Sequence, residues 1–383
     1  GVISQMVKLP QFINYLKVRG SYTEVGSPIS KTGITPGTIT HNLTSSGLTT
    51  NKVYPYPEFK AERTTSWEAG LNTKLFGNSL SVDLTLYKSN TYNQFFEQQL
   101  SASSIYSSFY LQAGNVENRG IELSVNYNKE FLNKELNWNS TLTYSRNVNE
   151  IKELVRGYRN PFTGELFDIT EVRKGSTVLR EGGSMSDVVV RGVLLRDVNG
   201  DLIEEASQYK FDKTQEVKLG RSSPDFQMGW RNTLSYKGID LSFLFNGSFG
   251  GIVLAGTQPM LDAYGVSKAS ADARDNRGVV VNGKKYDAQK YYNTIKDLPG
   301  YYSYDATNVR LQEVSLTYSL DGSHFWDKVK RITIGVIGTN LWMIYNKAPF
   351  DPQLTYGVGT YATTEFFMTP SAATYGASLK IKF

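Results

Sequence analysis

Hydrophobic and polar residues alternate along most of this chain with a period of two. In residues 80–86, four aliphatic side chains alternate with Ser, Asp and Thr, and residues 121–127 repeat the pattern with Glu, Ser and Asn. Successive side chains of a β-strand point to opposite faces, so this period predicts half-buried strands and not helices. The alternation recurs in residues 136–144, 225–236, 239–249, 314–320 and 375–383.

The pattern predicts ten strands separated by connections of very unequal length. The strands are expected near residues 15–25, 64–76, 80–91, 116–129, 136–147, 224–236, 239–250, 307–320, 331–344 and 372–383. The strand at 331–344 is irregular, because Ile332 and Val336 share one face whereas Ile337 and Leu341 lie on the other.

The connections between these strands alternate strictly between long and short. The long ones are 26–63, 92–115, 148–223, 251–306 and 345–371, and the short ones are 77–79, 130–135, 237–238 and 321–330. Gly, Asn and Asp in the short connections are typical of tight turns. Elaborate loops therefore collect at one end of the sheet, as in outer-membrane β-barrels. A soluble sandwich or propeller would also alternate, but its connections need not sort by length.

A membrane location would explain both the closed architecture and the two faces. Backbone polar groups must all be paired inside a bilayer, so only helices and closed barrels cross it. The sequence thus predicts an all-β fold, an antiparallel transmembrane β-barrel portion with apolar residues toward lipid. Aromatic residues that could form interfacial girdles are Trp67, Tyr87, Tyr127, Tyr144, Tyr236 and Tyr318. Polar residues expected to face the lumen are Asp83, Glu122, Asn126, Asn137, Asn139, Arg231, Asp240 and Asn246.

Composition narrows the chemistry that the chain could perform. The 383 residues include 41 Lys and Arg and 36 Asp and Glu, a net charge of +5 that gives no sign of nucleic-acid binding. Cysteine is absent, which excludes disulfides, thiolate zinc sites and cysteine nucleophiles. The two histidines, His41 and His324, are far apart in the sequence. We therefore assign no catalytic, metal or cofactor residues and expect no enzyme.

Two glycine-rich stretches have the spacing of nucleotide-binding loops but not the full set of residues. Residues 278–285 fit a phosphate loop until Lys285, which stands where a magnesium-ligating Ser or Thr is needed. The stretch is better interpreted as a hairpin with an Asn282-Gly283 turn. Residues 357–362 match GxGxxA, but no helix can follow easily, so a loop is favoured.

Asp197, Asn199 and Asp201 have the spacing of oxygen ligands in a calcium loop. Leu202 and Gln208 stand where that loop requires Gly and Glu. A plain turn is favoured over a calcium site.

The long connections carry many aromatic and basic residues that could stack on sugars or peptides. They are Arg156, Tyr158, Arg159, Tyr264, Tyr291, Tyr292, Tyr301 and Tyr302. Packing of the loops against themselves is the simpler interpretation for any one of them.

Several segments resemble SusC-like TonB-dependent outer-membrane transporters, in the family's order. They are residues 62–71 (ERTTSWEAGL), 75–87, 114–123 (GNVENRGIEL), 223–241, 308–316 (NVRLQEVSL), 338–342 (GTNLW) and 350–352 (FDP). Each is modest alone, whereas the ordered set is specific.

The last strand resembles the β-signal that the barrel assembly machinery reads. Tyr375, Ala377, Leu379, Ile381 and Phe383 occupy alternate positions, and the sequence ends on the aromatic residue.

The resemblance implies active import of a nutrient, an oligosaccharide or a peptide, across the outer membrane of a Gram-negative bacterium, as is typical of Bacteroidota. It implies a 22-stranded barrel, an N-terminal plug, a TonB-binding segment and a SusD-like surface lipoprotein as lid. Ten strands are about half of such a barrel. We expect residues 1–383 to be its C-terminal part, with plug, TonB box and remaining strands on the same or another chain.

Two other hypotheses about the function of this chain remain open at this point. A self-contained ten-stranded barrel could serve as a porin, enzyme or adhesin, since ten is an allowed strand number. A soluble carbohydrate-binding β protein is the second, and solubility without detergent would identify it.

The alternation of connection lengths predicts which end of the barrel faces outward. We expect protease added to intact cells to cut within 148–223 or 251–306, unless a partner covers them. Tags at Asn78 and Asn133, in short turns, should stay inaccessible until the outer membrane is permeabilised. Labelling of the Asn78 tag on intact cells would contradict this topology.

Overall fold

The dominant element of the computed structural model is one antiparallel sheet of ten consecutive strands, here called the wall. The structure describes residues 1–27, 39–42, 47–50, 53–54, 60–99, 106, 108–159, 164–174, 177–321, 328–355 and 363–383. The wall strands are β1 (Ile13–Ser27), β2 (Glu62–Leu75), β3 (Leu80–Gln99), β4 (Ser108–Phe131), β5 (Leu136–Glu153), β6 (Phe226–Tyr236), β7 (Ile239–Phe249), β8 (Asn308–Asp321), β9 (Arg331–Asn346) and β10 (Thr374–Lys382). All ten predicted strands are therefore confirmed.

Each wall strand pairs with its neighbours in chain order, so the wall is an up-and-down meander. The tightest turn joins β6 to β7, whose register runs from Phe226 opposite Phe249 to Tyr236 opposite Ile239. Lys237 and Gly238 both have positive φ, 45° and 84°. Two positive φ values give the turn a twist that matches that of paired strands.

The register places apolar and polar residues in separate rows across the wall. Val125, Leu142, Trp230 and Phe245 lie side by side on β4 to β7. One residue along each strand is the row of Ser124, Thr143, Gly229 and Asn246, which faces the other way. The two predicted faces are thus confirmed as a mainly apolar outer face, interrupted by Ser140 and Asn232 in the row between Tyr127 and Phe243, and a polar inner face.

The connection predicted at 92–115 is mostly strand. β3 and β4 stay paired as far as Gln99 opposite Ser108. The prediction was wrong because alternation detects a strand only through an apolar face, whereas backbone pairing does not require one.

A bulge explains the irregular strand near residue 340. Asn340 has φ 53°, and the β8–β9 register shifts between Glu313 opposite Thr339 and Leu311 opposite Trp342. An extra residue in one strand reverses the face on which later side chains lie. Ile337 precedes the bulge and stays on the inner face, opposite Ser315.

The wall is open at both ends of its strand order, β1 and β10. Gly1 and Val2 cover part of the free edge of β1 through backbone contacts to Val18 and Lys17. Among the described residues, no strand pairs with the far edge of β10. This arrangement weighs against a self-contained barrel of ten strands.

The long connections fold into a compact unit, the cap, made of the described residues within 154–225 and 250–307. Its strands are Val155–Arg159, Leu166–Ile169, Glu171–Lys174, Thr177–Arg180, Asp187–Leu194, Phe211–Arg221, Ile252–Ala255, Val279–Val281, Lys284–Tyr286 and Ser303–Asp305, and its α-helices are α1 (Thr257–Ala263), α2 (Lys268–Asp275) and α3 (Ala288–Ile295). Short 3-10 helices lie at Ile3–Gln5, Leu132–Lys134 and Pro299–Tyr302. Ile39–Asn42 and Gly47–Thr50 form a separate hairpin, Val53–Tyr54 pairs in parallel with the start of β4, and Thr364–Glu365 pairs in parallel with the cap strand Ile252–Ala255.

The cap has a hydrophobic core of its own. Tyr209 and Leu298 are fully buried, and Tyr286, Ile295 and Tyr302 pack with them. Burial of these aromatic residues stabilises the cap. This core does not depend on the alternating pattern of the wall strands. Among the described residues, no helix has the length and hydropathy needed to cross a bilayer.

Candidate functional site

The inner face of the wall encloses a polar cavity of about 620 Å³. Strands β1, β3, β4, β5, β6, β7 and β8 all contribute to it. Its lining includes Arg19, Asp83, Glu122, Thr143, Gln227, Asn246, Asn308 and Gln353. A concave polar surface of this breadth can hold a hydrated solute or another polar segment of protein.

An ion pair links the first three wall strands at this cavity. Arg19 on β1 donates to Asp83 on β3 at 2.7 Å, and to Asn72 and Thr85 at 2.6 and 2.5 Å. The Arg19 side chain lies over Gly70, where an added Cβ would be 2.3 Å from Nε. Gly70 is therefore needed for the arginine to cross β2.

A second ion pair lies further around the same face. Arg231 on β6 donates to Glu313 on β8 at 2.8 Å and contacts Ser242 of the intervening strand at 3.4 Å. Because both partners are partly exposed, the pair adds little stability and mainly arranges charge along the face.

The register places all eight predicted lumen residues on the inner face. Asp83, Glu122 and Asn246 line the cavity of about 620 Å³, and Asn126 lines a neighbouring one of about 700 Å³. The remaining four pair with wall neighbours or lie among them: Asn137, Asn139, Arg231 and Asp240. Arg19 and Glu313 also face inward, but they were not among the predicted lumen residues, because their direction depends on cross-strand register.

Gly120 shows a similar close approach on β4. The ring of Tyr87 lies against it, so that an added Cβ would be 2.4 Å from ring and hydroxyl atoms. The Tyr87 hydroxyl then donates to Asn147 on β5 at 3.2 Å. A side chain at Gly120 would break this inward contact between three strands. The prediction that Tyr87 belongs to an interfacial girdle was wrong, because the strand register places its ring on the inner face.

A buried ion pair, here called the clasp, joins the wall to the connection after β9. Arg310 donates to both carboxylate oxygens of Asp351, at 3.1 and 2.8 Å, and to Asn308 at 3.1 Å. The Arg310 and Asp351 side chains are only 5% and 7% exposed. A bidentate pair of this kind fixes orientation as well as distance.

The clasp determines where the residues after β9 lie. Phe350 packs against Tyr304 beside the cap core, whereas Gln353 reaches the luminal cavity with Asn308. Lys347 adds an ion pair to Asp305 at 2.7 Å. The segment therefore bridges cap and wall at the mouth of the cavity.

The charge state of the clasp is set by opposing effects. Burial alone would raise the pKa of Asp351, but hydrogen bonds from Arg310 and the Gln353 backbone lower it below the usual 3.8. A lowered carboxyl pKa stabilises the fold above the unfolded value and ceases to do so as pH falls through the folded one. The clasp is thus fully formed at neutral pH and is lost only in strong acid.

Most of the aromatic and basic residues of the long connections pack or form ion pairs within the cap. Tyr291, Tyr292 and Tyr302 pack at its core, and Arg156 pairs with Glu181 at 2.9 Å. Tyr264 is the exception, with 81% of its surface exposed. Tyr264 and Tyr292 line a second cavity, of about 480 Å³, with Arg274 and Arg277.

The glycine-rich stretch at 278–285 is a hairpin, as predicted. Val279–Val281 pairs with Lys284–Tyr286, and Asn282 and Gly283 have φ of 50° and 79°. The GxGxxA stretch at 357–362 lies outside the described residues.

The possible calcium loop is a turn in the structure. Asp197 accepts from the backbone N–H of Asn199 and Asp201, and Asp201 pairs with Lys284 at 2.6 Å. The Lys284 ammonium lowers the pKa of Asp201. Within the described part of the chain, no group of three acidic or histidine side chains is placed to hold a metal ion.

The residues of the predicted β-signal lie on the outer face of β10. Tyr375 and Leu379 stand opposite Gly338 and Ile334, and they are 78% and 66% exposed. Phe383 continues their row and is 71% exposed. This row is the last apolar edge of the wall.

Residues 8–170 match the family model described as TonB dependent receptor-like, beta-barrel. Two TonB-dependent receptors of Formosa agariphila are 26% and 27% identical, covering 85% and 88% of this chain. The chain spans only 34% and 36% of their lengths. These matches confirm the resemblance stated from the sequence and, with it, an outer-membrane location.

The fold has a close counterpart among solved structures. The structure of the RagAB peptide transporter superposes with a TM-score of 0.76 over 99% of this chain and 42% of that chain, at 19% identity. The closed-closed state of the RagAB peptide importer gives 0.74 over 98% of this chain. The wall and cap thus share the fold of part of the RagAB transporter in these structures.

Removing the acid of the clasp should loosen the segment after β9. Asp351→Asn leaves Arg310 buried without a counter-charge, which should cost about 3–5 kcal/mol. We expect a lower unfolding temperature and faster tryptic cleavage after Lys347. The control, Asp272→Asn, breaks the exposed pair with Lys268 and should cost less than about 1 kcal/mol. Equal effects of the two variants would show that the clasp does not stabilise this segment.

Proposed function

We propose that this chain, whose residues 8–170 belong to the TonB-dependent receptor-like β-barrels, forms the C-terminal barrel portion of an outer-membrane nutrient importer. Its work is vectorial transport of an oligosaccharide or a peptide, with no bond made or broken. The barrel contributes a polar lumen and a folded outer cap. Movement of a plug, driven by TonB, opens the path.

The observation that carries this proposal is the open wall with one apolar and one polar face. Unpaired backbone groups cost several kcal/mol each in hydrocarbon, so the edges at β1 and β10 require further strands. Strand number and shear are linked in a barrel, and a wall built for a wide barrel would need a new register to close at ten. Residues 1–383 therefore supply part of a barrel, and the same or another chain supplies the rest and the plug.

The proposed architecture implies several protein partners and contact with the lipid bilayer. A SusD-like surface lipoprotein would cover the cap, as the likeness to the RagAB transporter suggests. TonB, with ExbB and ExbD, would act through a segment outside these residues. The barrel assembly machinery would insert the wall, and the lipid bilayer would surround it.

The inner face supports a polar solute more than an apolar one. Hydroxyl and amide side chains such as Ser124, Thr143 and Asn246 offer donors and acceptors to sugars and peptides alike. The ion pairs Arg19–Asp83 and Arg231–Glu313 offset four of the charges on this face. At the outer end, Tyr264 and Arg277 in the cap cavity could contact a solute before it enters.

Filling the lumen should slow uptake without harming the membrane face. Ser124→Trp adds a large side chain to the inner cavity, whereas Val125→Trp adds the same group to the lipid-facing row. We expect Ser124→Trp to reduce energy-dependent uptake of labelled oligosaccharides or peptides several-fold. Val125→Trp should leave uptake unchanged.

Both variants are compared at equal outer-membrane abundance and after dissipation of the proton gradient. Uptake that persists without the gradient would indicate a passive pore. If Ser124→Trp and Val125→Trp behave alike, solute does not pass along this face.

The proposed β-signal predicts an assembly defect. Phe383→Asp places a charge at the end of the lipid-facing row, at a cost of up to a few kcal/mol that depends on depth. We expect the outer-membrane level of the chain to fall severalfold. Ser378→Asp adds the same charge on the inner face of the same strand and should assemble normally. Equal outer-membrane levels of the two variants would remove the special role of Phe383.

A further inference from the structure

The apolar outer face of β3, β4 and β5 ends abruptly in a group of cations. Leu86 and Ile121 stand opposite each other in the last apolar row of β3 and β4. Arg146 on β5 is opposite Ile121, and one row further Lys88 is opposite Arg119. Three cations, here called the basic triad, thus lie on the outer face within one row of the apolar side chains.

The basic triad is only partly neutralised by the protein. Lys88 pairs with Glu117 at 2.9 Å, and Lys152 pairs with Glu150 at 2.7 Å. Within the part of the chain that the structure describes, Arg119 and Arg146 make no ion pair. Two carboxylates, Glu117 and Glu150, therefore face four cations on this surface. Glu117 contacts both Lys88 and Lys152, which leaves Arg119 and Arg146 without an anionic partner among the described residues.

The position of the basic triad along the strands indicates which anion could bind to Arg119 and Arg146. Successive outward residues of a strand are about 7 Å apart along it, so the triad lies one such step above Leu86 and Ile121. Trp67, opposite Lys88 in the same row, is 63% exposed, as an interfacial aromatic would be. If the apolar rows of the wall contact acyl chains, the residues one step further along the strands lie at the level of the lipid headgroups.

We propose that Lys88, Arg119 and Arg146 bind the phosphate of an outer-leaflet lipid whose acyl chains lie on the rows of Leu86 and Ile121. The inference rests on the proposed function, because it takes the loop end of the wall to face outward. Guanidinium groups suit phosphate oxygens through paired N–H donors. A headgroup phosphate would also supply the anionic partner that Arg119 and Arg146 lack.

The test compares lipids that differ only in phosphate. The natively purified complex, in a neutral detergent, is titrated with lipid A bearing two phosphates, with its dephosphorylated form, and with inorganic phosphate. Bound lipid is counted by native mass spectrometry. The variant Lys88→Gln/Arg119→Gln/Arg146→Gln is compared with Lys213→Gln/Lys268→Gln/Lys285→Gln, which removes three exposed cap cations far from the wall.

We expect the complex to prefer the phosphorylated lipid, and the triad variant to lose about fivefold in affinity per cation removed. The cap variant should bind as the unmodified complex does, and Arg119→Lys should lose less than Arg119→Gln. Equal binding of the two lipids, or no loss in the triad variant, would overturn the inference. Inorganic phosphate that binds as tightly as the lipid would overturn the assignment to a headgroup.

Uptake is measured on the same variants, so that the two proposals can fail separately. A triad variant that imports normally but has lost phosphorylated lipid supports both proposals. A complex that binds the lipid through the triad but imports nothing leaves the headgroup site in place and contradicts the proposed function.

Discussion

Pairing of backbone N–H and C=O groups is the constraint on which the rest of this structure depends. In hydrocarbon no water replaces a missing strand, so each wall strand needs a neighbour along its whole membrane-crossing length. The meander from β1 to β10 satisfies this requirement between neighbours through continuous antiparallel registers. The two outer edges carry the same requirement, and this is the basis for proposing that the wall belongs to a larger barrel.

Once the registers are fixed, the face of each side chain follows. A shift of one residue would turn every apolar residue of a strand inward, so the outer rows specify the pairing strongly. The inner rows do not contact lipid and can therefore be polar. Their side chains form contacts across strands, such as the hydrogen bond from Arg19 over β2 to Asp83. Small residues on the wall matter where such a side chain crosses, as at Gly70 and Gly120.

The cap obeys different rules, since it buries its own aromatic core and does not depend on alternation. A buried ion pair attaches it to the wall at the cavity mouth. Arg310 from the start of β8 and Asp351 from the connection after β9 form this pair. Both residues belong to segments that carry the family resemblance. The structure gives these segments a physical role, because one supplies the base and the other the acid of the clasp.

The sequence by itself determined the ten strands, the two faces and the division into short turns and long connections. It could do so because each depends on local alternation and on turn residues such as Lys237-Gly238. It could not determine that residues 92–115 continue as strand, or that Asn340 forms a bulge, because pairing there carries no apolar signal. Only the tertiary structure brought Arg19 to Asp83, Arg310 to Asp351 and Lys88 to Arg119. These contacts join residues from different strands and connections, and their distances follow from register and curvature, which no local pattern encodes.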